Sequence, residues 1–476
     1  MTPTVDALPY RWPWHGALEP GRTALVVHRH RRWRPGGVAP ADPDRRLASL
    51  ADALASAGGR VVVVTDVAAP GCGQAGGDQV TTAADRPPGA VEVPVPGVDG
   101  FFGSALHSVL RRLGVTDLLV AGWGLEGPVH STLRSANDRG YECLLVPDAC
   151  TAVDPDLVAG ACSTVTMSGG IFGAHAPTAA VLAVLAALAA APSPAAPPVL
   201  PGGVPGGVPA GGHQSDHVPP AGAPTGEKEA PVSTPIPDRP VFDRPGPVAA
   251  QPYPWPFDGA LDPARTALVL IDWQVDFCGP GGYVDQMGYD LSLTRAGLAP
   301  TAVVLDRVRR WGATVIHTRE GHRPDLSDCP DNKRWRSRRI GAGIGDAGPC
   351  GRILVRGEPG WEIVPEVAPI DGEPVVDKPG KGAFYATDLD LLLANRGITH
   401  LVLTGITTDV CVHTTMREAN DRGYECLLLS DCTGATDVGN YEAALKMVTM
   451  QGGVFGAVAP SAAFLAALDG VAGRAA

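Results

Sequence analysis

An aspartate, a lysine and a cysteine in the second half of the chain have residue types that could together break an amide bond. Asp272 follows the apolar run TALVLI, and Cys411 lies a few residues beyond HLVLT, at the expected start of a helix; Lys378 completes the set. A helix N-terminus and a nearby ammonium group both favour the thiolate. A carboxylate can take the thiol proton and return it to a leaving amine. The set therefore indicates acyl transfer from an amide.

An internal repeat shows these three positions substituted together. The ten residues ANDRGYECLL at 136–145 recur unchanged at 419–428, an offset of 283 (419 − 136). At this offset, and at 243 near the start of each half, the first half carries Arg29, Val95 and Pro128 in place of the triad. Taken singly, such residues are more often a turn former, a surface lysine and a core cysteine. Their joint replacement, with the surrounding scaffold kept, indicates a joint function.

The elements that must position these residues form a parallel sheet. Apolar runs rich in β-branched residues alternate with segments of helical period, which is typical of a sheet covered on both faces. Strands are predicted at 23–28, 60–65, 117–121, 143–146, 266–271, 314–318, 400–404 and 426–430. Ligands bind at the carboxyl ends of such strands, where Asp272 and Cys411 lie. The predicted fold class is α/β, a three-layer α/β/α domain in two tandem copies.

Domain boundaries follow from the repeat and from a shift in composition. The first copy is expected at 1–191 and the second at 252–476, joined by a linker at 192–251 that is dominated by Pro, Gly and Ala. Residues 65–95 are about half as numerous as their counterpart 318–378, so a loop region is missing from the first copy.

Composition excludes several classes of partner. A net charge of −12 argues against nucleic acid and anionic membranes, and the basic run at 28–34 is interpreted as a solvated or anion-contacting loop. Ten cysteines form no CxxC pair, and no signal peptide is recognised, so we expect reduced thiols and a cytoplasmic protein. The apolar stretch at 178–191 is shorter than the roughly 20 residues that span a bilayer and is predicted to be a closing helix.

Three segments of the second half resemble the isochorismatase-like cysteine hydrolases. They are ALVLIDWQVDFC at 267–278, DKPGKGAFYATDL at 377–389 and TGITTDVCVHTT at 404–415. The lysine-to-cysteine separation of 33 residues (411 − 378) matches the family's spacing. This family includes nicotinamidase, N-carbamoylsarcosine amidase, ureidoacrylate amidohydrolase and biuret hydrolase. The resemblance covers the whole second half, whereas in the first half only the scaffold matches.

The resemblance implies a role for each member of the triad. Cys411 would be the nucleophile, Asp272 the general base and acid, and Lys378 the cation that stabilises the thiolate. Lys381 is a nearby competitor, but the family's lysine directly precedes a proline, here Pro379.

The resemblance also implies a cis peptide bond between Ile406 and Thr407. That arrangement would aim the backbone N–H groups of Thr407 and Cys411 at a developing oxyanion.

Within the family, the second half is most similar to biuret hydrolase and its triuret-cleaving relatives, on the segments 317–337, 351–363 and 450–456. This similarity implies that Gln451 contacts the substrate and that Phe277 forms a wall of the pocket. Arg319 and His322 would order the loop or draw in a polar substrate.

A metal site is the alternative interpretation of the same loop, because it contains His317, His322, Asp325 and Asp328. Nicotinamidases of this fold hold a metal through an Asp-x-His arrangement, which the loop lacks. We expect neither a metal nor a cofactor.

The predicted function is cleavage of a small linear ureide, with biuret and water giving allophanate and ammonia. Triuret, ureidoacrylate and N-carbamoylsarcosine are the alternative substrates. The expected partners are the ureide and further copies of the chain in a homo-oligomer, but neither nucleic acid nor membrane. The N-terminal copy is expected to pack on a catalytic domain, and a non-catalytic scaffold or ligand-binding role for it is the competing hypothesis.

Overall fold

Two six-stranded parallel sheets form the centre of the protein. The computed structural model describes residues 3–33, 42–67, 89–190 and 246–472. In chain order the strands are β1 Thr23–His28, β2 Arg60–Asp66, β3 Val91–Val95, β4 Asp117–Trp123, β5 Glu142–Thr151, β6 Ala174–His175, β7 Thr266–Ile271, β8 Thr314–Glu320, β9 Ala347–Gly348, β10 Gly351–Arg352, β11 Val375–Lys378, β12 His400–Ile406, β13 Glu425–Gly434 and β14 Ala457–Ala459.

The strand order is the same in both copies. It is β3-β2-β1-β4-β5-β6 in the first copy and β11-β8-β7-β12-β13-β14 in the second, while β9 and β10 form a separate antiparallel pair. Every residue of β1, β4, β7 and β12 is buried, as expected for central strands covered on both faces. The predicted α/β class and tandem arrangement are confirmed.

Helices flank the sheets. They are α1 Asp42–Ser56, α2 Leu106–Arg112, α3 His130–Asp138, α4 Leu157–Gly170, α5 Thr178–Ala190, α6 Val275–Cys278, α7 Tyr283–Gln286, α8 Leu291–Arg295, α9 Leu298–Trp311, α10 Asp331–Arg339, α11 Leu389–Asn395, α12 His413–Asp421, α13 Val438–Gly453 and α14 Ser461–Ala472. One π-helical turn precedes α3 and another precedes α12, at Leu125–Val129 and Thr408–Val412. Short 3-10 segments lie at Pro20–Arg22, Arg31–Trp33, Pro359–Trp361 and Pro365–Val367.

Residues 178–190 of the apolar stretch form α5, as predicted. Within the described ranges, no helix has the length and apolar character needed to cross a membrane.

Most of the linker predicted at 192–251 lies outside the described residues. Its last part does not behave as a linker, because Val248 is fully buried and pairs with Trp255, and Gln251 pairs with Val458 beside the second sheet. The fold of the second copy therefore includes residues before Gln251. Much of the shortened loop between β2 and β3, residues 68–88, also lies outside the described ranges.

The two copies belong to one compact unit and share a hydrophobic core. Helix α3 contacts α12, and Leu133 and Ala136 belong to the same buried cluster as Met416 and Ala419. Arg134 donates to the Val410 carbonyl and its counterpart Arg417 donates to the Gly127 carbonyl, so the two copies make reciprocal contacts, as in a symmetric dimer.

Candidate active site

The carboxyl ends of three strands bring Asp272, Lys378 and Cys411 together. Asp272 directly follows β7, Lys378 is the last residue of β11, and Cys411 lies in the π-helical turn after β12. Nζ of Lys378 is 2.7 Å from Oδ2 of Asp272, and both side chains are fully buried. Cys411 is only 3% exposed. The predicted triad is assembled at the predicted edge of the sheet.

A fourth charged residue, Glu320, was missed by the sequence analysis. It is the last residue of β8, and the thiol of Cys411 donates a hydrogen bond to its Oε2 at 3.3 Å. Three ammonium groups surround the carboxylate: Nζ of Lys381 at 2.7 Å, of Lys333 at 2.9 Å and of Lys378 at 3.5 Å. Its signal in the sequence was a glutamate two residues beyond the strand predicted at 314–318.

The two carboxylates differ in their affinity for a proton. Burial raises the pKa of Asp272 and the Lys378 ammonium lowers it, with the balance above the ordinary value. Burial also raises the pKa of Glu320, but the three lysines outweigh it and hold this pKa well below the ordinary value. Glu320 therefore stays anionic, and Asp272 is the better proton acceptor near neutral pH.

The resting nucleophile is a thiol. Burial raises the pKa of Cys411 well above its usual value, although Lys378 and Lys381 act in the opposite direction. Three ammonium groups face two carboxylates, so ionised Cys411 would make the cluster neutral. Formation of the thiolate therefore requires a neighbouring proton acceptor. The excess positive charge of the three ammonium groups then compensates the negative charge of the thiolate.

Backbone carbonyls and one unusual backbone conformation hold the other two members in place. Nζ of Lys378 donates to the carbonyl oxygens of Gly380 at 3.0 Å and Lys381 at 3.1 Å. Burial lowers the pKa of Lys378, but Asp272 and the other nearby acidic groups raise it by more than burial lowers it. The net pKa lies above the ordinary value, so the side chain is charged. Asp272 has a φ of 54°, in the left-handed region, and its Oδ1 accepts a hydrogen bond from Thr318 Oγ1 at 2.6 Å.

A cavity beside Cys411 is lined by residues of both copies. The second copy contributes Phe277, Lys381, Thr407 and other residues, whereas Lys378 is fully buried and is not part of the lining. The first copy contributes Met167, Ser168 and Ile171. Phe277 and Thr407 are thus at the cavity, and the Ile406–Thr407 peptide bond is cis, as the resemblance implies.

Gln451 is not brought to this cavity. It is exposed, and Ser168, its counterpart in the first copy, lines the cavity instead. Both residues lie at a kink near the end of a helix and have positive φ angles, 48° at Ser168 and 50° at Gln451. Because the copies face each other, the kink of the first copy reaches the cavity of the second. There Ser168 Oγ lies 3.1 Å from the hydroxyl oxygen of Tyr289.

Arg319 and His322 also lie away from the residues that line the cavity. The guanidinium of Arg319 is 3.4 Å from the centroid of the Trp361 ring and bonds Asp377 at 3.0 Å. His322 is fully buried, and burial lowers its pKa to about 4, so it is neutral at pH 7. Its Nδ1 is 3.3 Å from Asp328. These contacts order the loop and do not reach the nucleophile.

The corresponding site of the first copy is filled by side chains. Arg29 forms an ion pair with Asp44 at 2.6 Å and lies over the ring of Trp123. Trp33 is 1% exposed and packs so closely on the turn before α3 that a Cβ at Gly127 would overlap its ring.

A metal ion fits this donor set poorly. Within the described ranges, Asp272, Glu320 and Cys411 form the one cluster of potential ligand atoms, all within 4.8 Å of one another. Nζ of Lys378 already contacts both carboxylates, at 2.7 and 3.5 Å. An ammonium group thus lies where a cation would bind.

A family model for the Isochorismatase domain matches residues 34–176 and 266–460. The chain belongs to the isochorismatase family. The two matched segments fall in the two copies, which supports their origin by duplication.

Individual members of the isochorismatase family match about half of the chain. The ureidoacrylate amidohydrolase RutB of Methylobacterium radiotolerans is 34% identical over 249 residues, covering 52% of this chain and 94% of that protein. A cysteine hydrolase from Pseudomonas syringae pv. phaseolicola 1448A is 25% identical, with a TM-score of 0.39, over 44% of this chain and 95% of that one. N-carbamoylsarcosine amidase from Thermoplasma acidophilum is 26% identical, with a TM-score of 0.32, over 41% of this chain and 96% of that one. This member of the isochorismatase family is a hydrolase acting on amide C–N bonds.

Proposed function

We propose that the second copy hydrolyses a small linear ureide and that its first candidate substrate is biuret, cleaved to allophanate and ammonia. The observation that carries this proposal is a buried thiol that lines a cavity and lies beside a carboxylate of raised pKa and a charged lysine. The resemblance of the segments at 317–337, 351–363 and 450–456 to biuret hydrolase favours biuret among the ureides.

In the proposed reaction, Asp272 takes the proton of Cys411 as Sγ attacks a terminal carbonyl carbon of the substrate. The backbone N–H groups of Thr407 and Cys411 would stabilise the oxyanion. The protonated Asp272 then gives its proton to the leaving nitrogen, the C–N bond breaks and ammonia departs. An S-acyl intermediate remains on Cys411, and water activated by Asp272 hydrolyses it to allophanate and restores the thiol.

Ureidoacrylate is a second candidate substrate, favoured by one specific observation. Lys381 lines the cavity, and its ammonium, which is ion-paired with Glu320, would also attract the carboxylate of an anionic ureide. The 34% identical relative is also named for this substrate. Biuret carries no carboxylate, so the two substrates make different demands on Lys381.

Ammonia release from biuret, triuret, ureidoacrylate and N-carbamoylsarcosine, measured side by side, tests the proposal. We expect turnover of at least one ureide by the wild-type protein and none by Cys411→Ala, because the variant lacks the proposed nucleophile. Thermal unfolding of the variant should match that of the wild type. Turnover by Cys411→Ala at the wild-type rate would refute the mechanism. Activity should also survive dialysis against a chelator.

A further inference from the structure

The repeated decapeptide ANDRGYECLL places an aspartate of each copy against the backbone of the other copy. Asp138, the last residue of α3, is 8% exposed. Its Oδ1 accepts the backbone N–H of Lys381 at 2.9 Å, and its Oδ2 accepts that of Gly382 at 3.0 Å. One carboxylate of the first copy thus holds two consecutive peptide groups of the second.

The segment held by Asp138 is the one that holds Lys378. Nζ of Lys378 donates to the carbonyl oxygens of Gly380 and Lys381, at 3.0 and 3.1 Å. A Cβ at Gly380 would approach the Asp138 carboxyl to 2.8 Å, so glycine permits the close contact. Hydrogen bonds to an ionised carboxylate are stronger than neutral ones, and two of them restrain both position and orientation.

We propose that Asp138 of the first copy is a positioning residue for the active site of the second copy. Its carboxylate fixes the Gly380–Gly382 backbone, this backbone fixes the ammonium of Lys378, and Lys378 keeps its place between Asp272 and Glu320. The first copy, which lacks the triad, thereby supplies part of the structure of the site. This inference rests on the proposed catalytic role of Lys378.

The chain contains a matched control for this contact. Asp421, the last residue of α12, occupies the same place in the second copy's decapeptide. It accepts the backbone N–H groups of Val98 at 2.7 Å and Asp99 at 2.9 Å in the first copy. The residue that this second loop would position is Val95, which has no ammonium group. Asp138 and Asp421 thus make the same interface contact, but only Asp138 acts on a lysine.

The experiment compares Asp138→Asn with Asp421→Asn in the full-length protein. Asparagine keeps the side-chain shape but can accept only one of the two N–H bonds through its single carbonyl oxygen. We expect Asp138→Asn to lower kcat about 10²-fold, as displaced catalytic groups do, with little change in KM. Asp421→Asn should keep a kcat close to that of the wild type, although it removes the equivalent interface contact.

A second readout does not depend on the substrate. The rate at which iodoacetamide alkylates Cys411, followed by mass spectrometry of its peptide across a pH series, reports the ionisation of the thiol. A displaced Lys378 stabilises the thiolate less, so the alkylation curve of Asp138→Asn should move to higher pH, and that of Asp421→Asn should not.

Equal effects of the two substitutions on kcat and on alkylation would overturn the inference. If the wild type cleaves none of the ureides, the proposed function fails, and the alkylation comparison still decides the role of Asp138. If Asp138→Asn does not fold, the same comparison can be made between Gly380→Ala, which alters the Asp138 contact, and Gly97→Ala, which alters the Asp421 contact. The added methyl groups would press on the Asp138 and Asp421 carboxyls respectively.

Discussion

At the scale of single residues, the site contains two buried carboxylates with different roles. Glu320 is held anionic by three lysines, whereas the pKa of Asp272 is raised by burial. The catalytic carboxylate must take the thiol proton and then donate it to the leaving nitrogen. Both steps favour the carboxylate of higher pKa. We therefore assign proton transfer to Asp272 and charge compensation to Glu320.

This division predicts different outcomes for Asp272→Asn and Glu320→Gln. Asp272→Asn should lower kcat by about 10²- to 10⁴-fold, the usual contribution of a general acid–base. Glu320→Gln leaves three buried ammonium groups without their carboxylate and should destabilise the fold by about 3–5 kcal/mol. Steady-state kinetics and urea unfolding check both. A fully stable Glu320→Gln protein would contradict the assigned role.

The raised pKa of Asp272 also predicts the pH dependence of activity. The base must be ionised, so kcat/KM of the wild type should fall as the pH drops through a value above the ordinary aspartate pKa of about 3.9. The measurement is a pH–rate profile on the preferred ureide. An acid limb at or below the ordinary value would exclude Asp272 as the titrating base.

Because Ser168 of the first copy lines the cavity, we expect its substitution to change the choice of substrate. Ser168→Gln should narrow the cavity and place an amide beside Tyr289, so the ratio of kcat/KM for triuret to that for biuret should fall by about 10-fold or more. Gln451→Ala is the matched control and should leave this ratio unchanged because Gln451 is exposed. A changed ratio in the control alone would place the contact within the second copy.

At the scale of elements, equivalent turns serve opposite purposes in the two copies. The π-helical turn before α12 presents Cys411 to a cavity, whereas the turn before α3 carries Pro128 and is covered by Trp33. The 3-10 segment Arg31–Trp33 thus places an aromatic ring in the space above the π-helical turn that precedes α3.

Trp33→Ala should therefore destabilise the protein by about 3–5 kcal/mol, as truncation of a buried aromatic side chain does. Its activity below the unfolding transition should be retained, because Trp33 lies in the first copy's site. Calorimetry and kinetics on the same sample check both parts. A neutral effect on stability would show that the ring is not packed.

At the scale of the whole molecule, the first copy acts as an internal partner of the second. Reciprocal contacts link them: Arg134 donates to the Val410 carbonyl, beside Cys411, and Arg417 donates to the Gly127 carbonyl. The hydrophobic core is continuous across this contact. The second copy is therefore completed within one chain.

A fragment of residues 246–476 should expose the face that α3 covers. We expect it to be poorly soluble or to self-associate, with lower activity than the full-length protein, because the contacts of Asp138 and Arg134 are gone. Light scattering after size-exclusion chromatography, together with ammonia release, checks this outcome. A stable, fully active monomer would refute the scaffold role and favour a separate ligand-binding role for the first copy.

The sequence by itself determined the fold class, the tandem repeat and the positions of the triad. These follow from local patterns, because strand periodicity places Asp272 and Cys411 at strand ends and the repeat shows which copy lost them. Strands β3, β6, β9, β10, β11 and β14 were not predicted, since runs of two to five residues carry little usable period.

Only the tertiary structure decided which residues complete the site. Glu320 and its lysines meet because β8 and β11 are neighbours in the sheet, although they are far apart in the chain. Ser168 replaces Gln451 at the cavity, and Asp138 supports Lys378, because the copies pack face to face. An alignment of one copy with the other identifies equivalent residues, but it cannot show that a residue of one copy serves the site of the other.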